Sequence, residues 1–193
     1  MQTATVTRTS KETDIAITIL PEDQNMEIDT GIGFFDHMLT ALSVHSRIPM
    51  KIHVKGDIHV DAHHTVEDTG IVIGQAFTKA LGNKSGIVRY GSAYIPMDES
   101  LAFCSLDICN RAFLVFNAEF TNPMIGAYDT CLTEEFMRAF AFNAGITLHC
   151  NVLYGKNDHH KTEAIYKSVA HALRIATAPT AAGEVFSTKG ILG

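Results

Sequence analysis

The chain repeats itself, and that repetition limits its fold more than any other property. HHTVE (63–67) returns as HHKTE (159–163), and FDHMLTAL (35–42) aligns with TEEFMRAF (133–140), so that His37 falls on Glu135, Ala41 on Ala139 and Leu42 on Phe140. A duplicated unit needs an element order that works twice and a way to pack the two copies together. Alternating polar and apolar residues on either side of a polar break at 10–13 predict a hairpin over 3–20. Apolar positions Phe34, Phe35, Met38, Leu39, Leu42 and Val44 then predict a helix closed by Pro49, with PEDQNMEIDTG before it read as a turn. MKIHVKGDIHV alternates as a strand does, and Val66, Ile71, Ile73, Phe77 and Leu81 predict a helix stopped at Gly82.

From Gly86 the order begins again. It runs through a strand-like IVRYGSAYI, a candidate hairpin of LAFCSLDI with AFLVFNAEF, and a helix carrying Leu132, Phe136, Ala139 and Phe140. A strand in ITLHCNVL and a long amphipathic helix in HHKTEAIYKSVAHALRIA, ending before Pro179, complete it. The expected fold class is α+β: internally duplicated β-β-α-β-α halves at 1–85 and 86–178, sheets packed against a helical layer, and a loop-like tail at 179–193.

A net charge of -6 and a pI near 5.9 give no basic footprint for nucleic acid. No apolar run approaches the roughly 18 residues of a bilayer span, and MQTATVTRTSKET lacks the apolar stretch of a secretory leader, so a cytoplasmic protein with no membrane partner is expected. Cys104, Cys109, Cys131 and Cys150 lack the paired spacing of a zinc site and are expected as free thiols. Histidine is the outlier, with ten copies and two adjacent pairs.

At a helix start, residues i and i+4 share a face, so His63 with Glu67 and His159 with Glu163 can each grip one cation. His64 and His160 are rotated by about 100° and must serve something else. If the halves face each other, within a subunit or across an interface, one ion is held by His159, Glu163, His64 and His37. The other is held by His63, Glu67, His160 and Glu135. Imidazole and carboxylate without thiolate suit Mn2+, two ions per active site, with iron, cobalt or zinc as competitors. His149 is the reserve ligand for the second set, while His53, His59 and His171 read as structural.

FFDHML, GDIHVDAHHTVEDTGIVIGQA, RYGSAYIPMDE, TLH and GKNDHHKTEA together resemble the imidazoleglycerol-phosphate dehydratase family over nearly the whole chain. The resemblance implies a ribosomal protein S5 domain 2-like fold and a hydro-lyase of L-histidine biosynthesis, converting D-erythro-imidazole glycerol phosphate to imidazole acetol phosphate and water. It also implies a homo-oligomer of trimers assembled into a 24-mer, with di-manganese sites at subunit interfaces. Carried over by position, the family's metal ligands fall on His37, His63, His64, Glu67, His159, His160 and Glu163; at Glu135 members carry either Glu or His. Phosphate recognition falls on Arg89, Arg111, Lys167, Ser187 and Lys189, the last two in the tail, which would then contribute to the active site. Arginine can fork onto phosphate oxygens, and lysine adds a point charge. Ala62 stands where the family usually has Asp, and CNRAF replaces a Gly-Arg-Pro-like turn.

The mechanism expected of such a site passes through a manganese-bound imidazolate that expels the hydroxyl of the ring-bearing carbon, leaving a diazafulvene-like species. Removal of the adjacent proton then gives an enol that ketonises. Glu12, where the family places a substrate-contacting Glu, is the first candidate base; a metal-bound water or a free oxygen of Glu163 is the second. His45, also at a family substrate-contact position, would hold a substrate hydroxyl. Two other classes compete: a two-metal hydrolase, whose bridged ions lie about 3.5 to 4 Å apart, and a non-catalytic metal-storing shell or scaffold.

Overall fold

The structure, a computed structural model, describes residues 1–21 and 25–180. Its first half runs β1 (Ala4–Thr9), β2 (Thr13–Ile19), β3 (Glu27–Asp29), α1 (Gly33–Ser46), β4 (Met50–Gly56) and α2 (His63–Leu81). The second runs β5 (Tyr90–Met97), β6 (Ser100–Ile108), β7 (Phe113–Asn117), a small hairpin of β8 (Met124–Ile125) and β9 (Tyr128–Asp129), α3 (Leu132–Ala144), β10 (Ile146–Tyr154) and α4 (Asp158–Ala176). Each half folds its strands into one four-stranded sheet, in the orders β1-β2-β4-β3 and β5-β6-β10-β7.

The expected hairpin, helices and α+β class are present, and two pairings differ from the sequence reading. A third strand, β3, lies in the stretch read as a turn, parallel to β4. LAFCSLDI does not pair with AFLVFNAEF: β6 turns tightly at Asp98 and Glu99 to pair with β5, its other edge is taken by β10, and β7 runs parallel along the far side of β10. Both edges of β6 are therefore filled before β7 arrives. Each half thus places three strands of its four-stranded sheet before its first helix, the third being a parallel edge strand.

The helices are exchanged between the halves. Helix α1 packs on α4, and α2 on α3, while α2 also covers β1, β2 and β4, and α4 covers β5, β6 and β10. A helical middle with sheets outside buries one continuous core to which both halves contribute. Strand β2 feeds it through alternate residues Ile15, Ile17 and Ile19. Phe35 meets Phe136 edge-on at 5.4 Å, Phe136 stacks on Tyr166 at 5.3 Å, and Phe77 meets Phe140 at 5.8 Å, so rings from all four helices join across the seam.

Close approach is set by glycines. A Cβ on Gly70 of α2 would lie 2.9 Å from the Phe136 carbonyl oxygen of α3, and one on Gly91 of β5 would collide with the Ala172 carbonyl oxygen of α4. Backbone cannot yield there as a flexible side chain can. Gly91→Ala is accordingly expected to push α4 off its sheet, costing about 1–3 kcal/mol or more. A thermal melt should show a drop of several degrees, and an unchanged melting temperature would mean that β5 and α4 are not in such contact.

A candidate metal centre on the seam between the halves

Helix α4 starts at a cap that the sequence specifies locally: the Asn157 side chain accepts the backbone N–H of His159 at 2.9 Å. Asp61, at the matching place, accepts the backbone N–H of His63 at 2.7 Å, although α2 itself begins only at His63. Along α4, His159, Glu163, Lys167 and His171 recur every fourth residue and form one stripe. Helix α1 lays His37 and His45, two turns apart, against it.

The upper end of this stripe is a compact cluster. Ligand atoms of His37, His159 and Glu163 all lie within 4.8 Å of one another. Glu163 is nearly buried; its Oε2 faces His159 Nε2 at 3.3 Å and His37 Nε2 at 3.7 Å, while its Oε1 accepts from Lys167 Nζ at 2.7 Å. Burial pushes the Glu163 carboxyl up, but the Lys167 ammonium, with His37 and His159 beyond it, holds it below its ordinary value. Phe34 backs the cluster, its ring 5.0 Å from that of His159. The donor set therefore fits a divalent cation: two imidazole nitrogens and an ionised carboxylate oxygen, pre-aligned on two helices. Two turns lower, His45 Nδ1 lies 3.2 Å from His171 Nε2. Burial, then Lys167 and His171, lower the His45 pKa, which favours the neutral ring.

His64 and His160 point elsewhere. His64 Nδ1 lies 3.2 and 3.1 Å from the two carboxylate oxygens of Asp57, and its Nε2 lies 3.9 Å from Glu12. His160 Nδ1 lies 2.7 Å from Glu99 Oε2, and its Nε2 lies 3.6 Å from Asp98. Those hydrogen bonds raise both imidazoles' affinity for a proton, the bond to Asp57 acting on His64 and that to Glu99 on His160. Glu99 in turn is held far below the carboxylate range, first by the Asn157 backbone N–H and then by His160. None of Asp57, Asp98 or Glu99 was singled out from sequence; the only local signal was their place beside HH and in MDE.

The first half carries the smaller grouping. His63 Nε2 and Glu67 Oε2 are 3.5 Å apart on α2, while Glu135 pairs with Arg138 at 3.6 Å, and these residues form no three-member cluster among the described residues. A recess of about 380 Å3 lies beside His63, between Ile58, Met124 and Leu132. His149 is exposed on β10, opposite Ser105 and Val115. Of the expected phosphate cations among the described residues, Lys167 alone adjoins the cluster. Arg89 is buried, its guanidinium forked onto Asp107 at 2.6 and 3.0 Å, and exposed Arg111 reaches the same carboxylate at 3.5 Å. Ser187 and Lys189 lie outside the described residues. The four cysteines are free, three of them buried, and no described helix is long and apolar enough to cross a membrane.

A duplicated α+β protein with a candidate His/Glu cation centre where its two halves meet is the class that fold and site define. Residues 30–173 match the family model of imidazoleglycerol-phosphate dehydratase. Over the full length of both chains, the sequence is 52% identical to the imidazoleglycerol-phosphate dehydratase of Lacticaseibacillus casei and 54% to that of Rhodopseudomonas palustris. The crystal structure of the Staphylococcus aureus enzyme superimposes with a TM-score of 0.85 at 41% identity, covering 93% of this chain and 100% of that one. That of the Pyrococcus furiosus enzyme does so with a TM-score of 0.85 at 35% identity, covering 96% and 99%. The chain belongs to the imidazoleglycerol-phosphate dehydratase family, whose members are hydro-lyases of histidine biosynthesis.

The start of α4 offers a test in pH. Asp158 Oδ2 accepts from the backbone N–H groups of Thr121 and Asn122 at 3.0 and 2.7 Å, and its Oδ1 lies 2.6 Å from Lys161 Nζ. Burial pushes its carboxyl up, yet Lys161, the Asn122 amide and the Thr121 hydroxyl outweigh this and hold it at about 2 against an ordinary 3.8. A carboxyl depressed on folding stabilises fully above its unfolded value and ceases to do so as pH falls through the folded one. The stability gap between the parent and Asp158→Asn should therefore be constant from neutral pH to about 5 and close between about 4 and 2. Denaturant melts across that range measure it; a pH-independent gap would contradict the assignment.

Proposed function

We propose that this chain is a divalent-cation-dependent dehydratase of the cytoplasm, converting D-erythro-imidazole glycerol phosphate to imidazole acetol phosphate and water in L-histidine biosynthesis. One observation carries the reading: in a chain of this family, His37 from the first half meets His159 and Glu163 from the second, ready to share a cation. Mn2+ suits these nitrogen and oxygen donors. When bound, it supplies acidification of the azole N–H it contacts, so that the ring can push out the neighbouring hydroxyl.

The chain's own residues supply the remaining steps. Lys167 and neutral His45 line the approach to the cluster, the first as a cation for phosphate and the second as a donor to a substrate hydroxyl. The hydroxyl on the ring-bearing carbon leaves as water, the proton on the next carbon passes to a carboxylate, and the enol ketonises. Glu12 is the first candidate for that carboxylate and Glu163 the second. Arg89, Arg111, Ser187 and Lys189 complete phosphate recognition.

The site is shared between copies. His64 and Glu12 face each other rather than His37. Arg89 is tied through its backbone N–H to the Ala176 carbonyl at the far end of α4, about 20 Å from Glu163 at 1.5 Å per residue, farther than glycerol phosphate spans. Neighbouring copies therefore bring His64, Glu12, Arg89 and Arg111 to the cluster, in trimers that assemble into a 24-mer. Two Mn2+ occupy each site, the second held by His63, Glu67, His160 and Glu135, with His149 as the alternative to Glu135.

Metal analysis together with an assay for imidazole acetol phosphate tests the whole: chelation should abolish turnover and Mn2+ should restore it, and full turnover by metal-free protein would end the reading. Glu12→Gln is expected to lower kcat by about 100-fold or more with Mn2+ content unchanged, a general-base effect, and near-normal turnover would remove Glu12 from the role. Glu135→Gln and His149→Ala divide the second site, since only the true ligand's loss lowers the Mn2+ content.

A further inference from the structure

The adjacent histidines of each pair do different things. His63 and His159 face a carboxylate of their own helix, whereas His64 and His160 each turn Nδ1 onto a carboxylate from outside it. An ionised carboxylate only accepts hydrogen bonds, so in the neutral ring the proton sits on Nδ1 and the lone pair is left on Nε2. We propose that Asp57 and Glu99 are positioning residues that fix the neutral rings of His64 and His160 in the Nδ1–H form, which leaves Nε2 as the atom that binds a divalent cation. This rests on the reading of both histidines as ligands given above.

Two features separate the arrangement from chance contact. The same geometry arises in both halves from unrelated places in the chain: Asp57 follows β4, seven residues before His64, whereas Glu99 comes from the β5–β6 turn. Counting back from the second histidine pair as Asp57 lies from the first reaches Leu153, so the second half has no carboxylate at the matching place and takes one from the β5–β6 turn instead. Glu99 is also itself immobilised, because its Oε1 accepts the backbone N–H groups of Lys156 and Asn157 at 3.0 and 2.8 Å. Its Oε2 thereby has one direction left, toward His160. Metal-bound imidazoles are commonly oriented by such partners, whose loss lowers metal affinity by about 10- to 100-fold.

Glu99→Gln is a sharp test because the variant keeps a carbonyl oxygen for the two backbone N–H groups and so turns its amide NH2 toward His160 Nδ1. A donor there forces the ring proton onto Nε2, blocking the ligand atom while the loop stays folded. Asp57→Ala removes the partner of His64 outright. On the full-length protein, Mn2+ titration by calorimetry should show about 10- to 100-fold weaker binding in each variant, with melting temperatures close to the parent's. Solid-state spectra of metal-free protein labelled with 15N-histidine should show the Nδ1–H form at His160 in the parent and the Nε2–H form in Glu99→Gln, a change that a purely structural role would not produce. Parent-like Mn2+ affinity in both variants overturns the positioning role while leaving the dehydratase reading intact. A parent chain that takes up no Mn2+ overturns both.

Discussion

The packing of α1 against α4 is the contact on which the site depends. Had each half closed on its own helices, His37 would lie with α2 and the three-residue cluster would not exist. The exchange is enforced by shape: Gly70 and Gly74 let α2 sit on α3 at backbone distance, and the ring contacts of Phe35, Phe136 and Tyr166 lock the other pair across the seam. Each sheet then covers the outside of the helices, so neither half has an apolar face left on which to stand alone. The geometry of the candidate site is thus a by-product of how a duplicated unit buries its core.

Charge is placed with the same economy. A carboxylate as buried as Glu163 would ordinarily pick up a proton, and Lys167 prevents this from one side while the two imidazoles face it from the other. The result is an anionic oxygen kept ionised at neutral pH and turned toward two nitrogen donors. Asp107 does the reverse service for Arg89 and Arg111, gathering two cations around one anion. A buried guanidinium forked onto one carboxylate is held in a single orientation.

Much of this was legible in the sequence. The hairpin, the four main helices and the duplicated His-His-x-x-Glu pattern show in periodicity and spacing because each is a local property. Strand β3 was invisible: three residues are too few for alternation to register. The partner of β7 was misjudged because a hairpin is the default for neighbouring strands, and nothing within β7 records that β10, thirty residues on, will fill the space beside β6. Among the candidate site residues, the His-His-x-x-Glu groups stand out by repetition. Asp57 and Glu99 do not, since the chain distance from each to its histidine follows no helical or strand period, and Arg89 carries no sign that Asp107 would claim it.

The two seams of the helical middle have diverged, and packing explains the direction. Where α4 carries Lys167 and His171 after Glu163, α2 carries Ile71 and Gln75 after Glu67, and where α1 carries His37, α3 carries Glu135. Glu67 is 43% exposed against 8% for Glu163. Along α2, the glycines at 70 and 74 press the helix onto the Phe136 and Phe140 carbonyls, leaving no width for a row of long polar side chains between the helices. The α1–α4 seam carries no such glycine pair on α4, where Tyr166 and Ala170 take the matching places, and it has room for an imidazole pair at each end with Glu163 and Lys167 between. One copy of the repeat was spent on close packing that stabilises the fold, which left the other free to spread a ladder of ionisable groups along its helix.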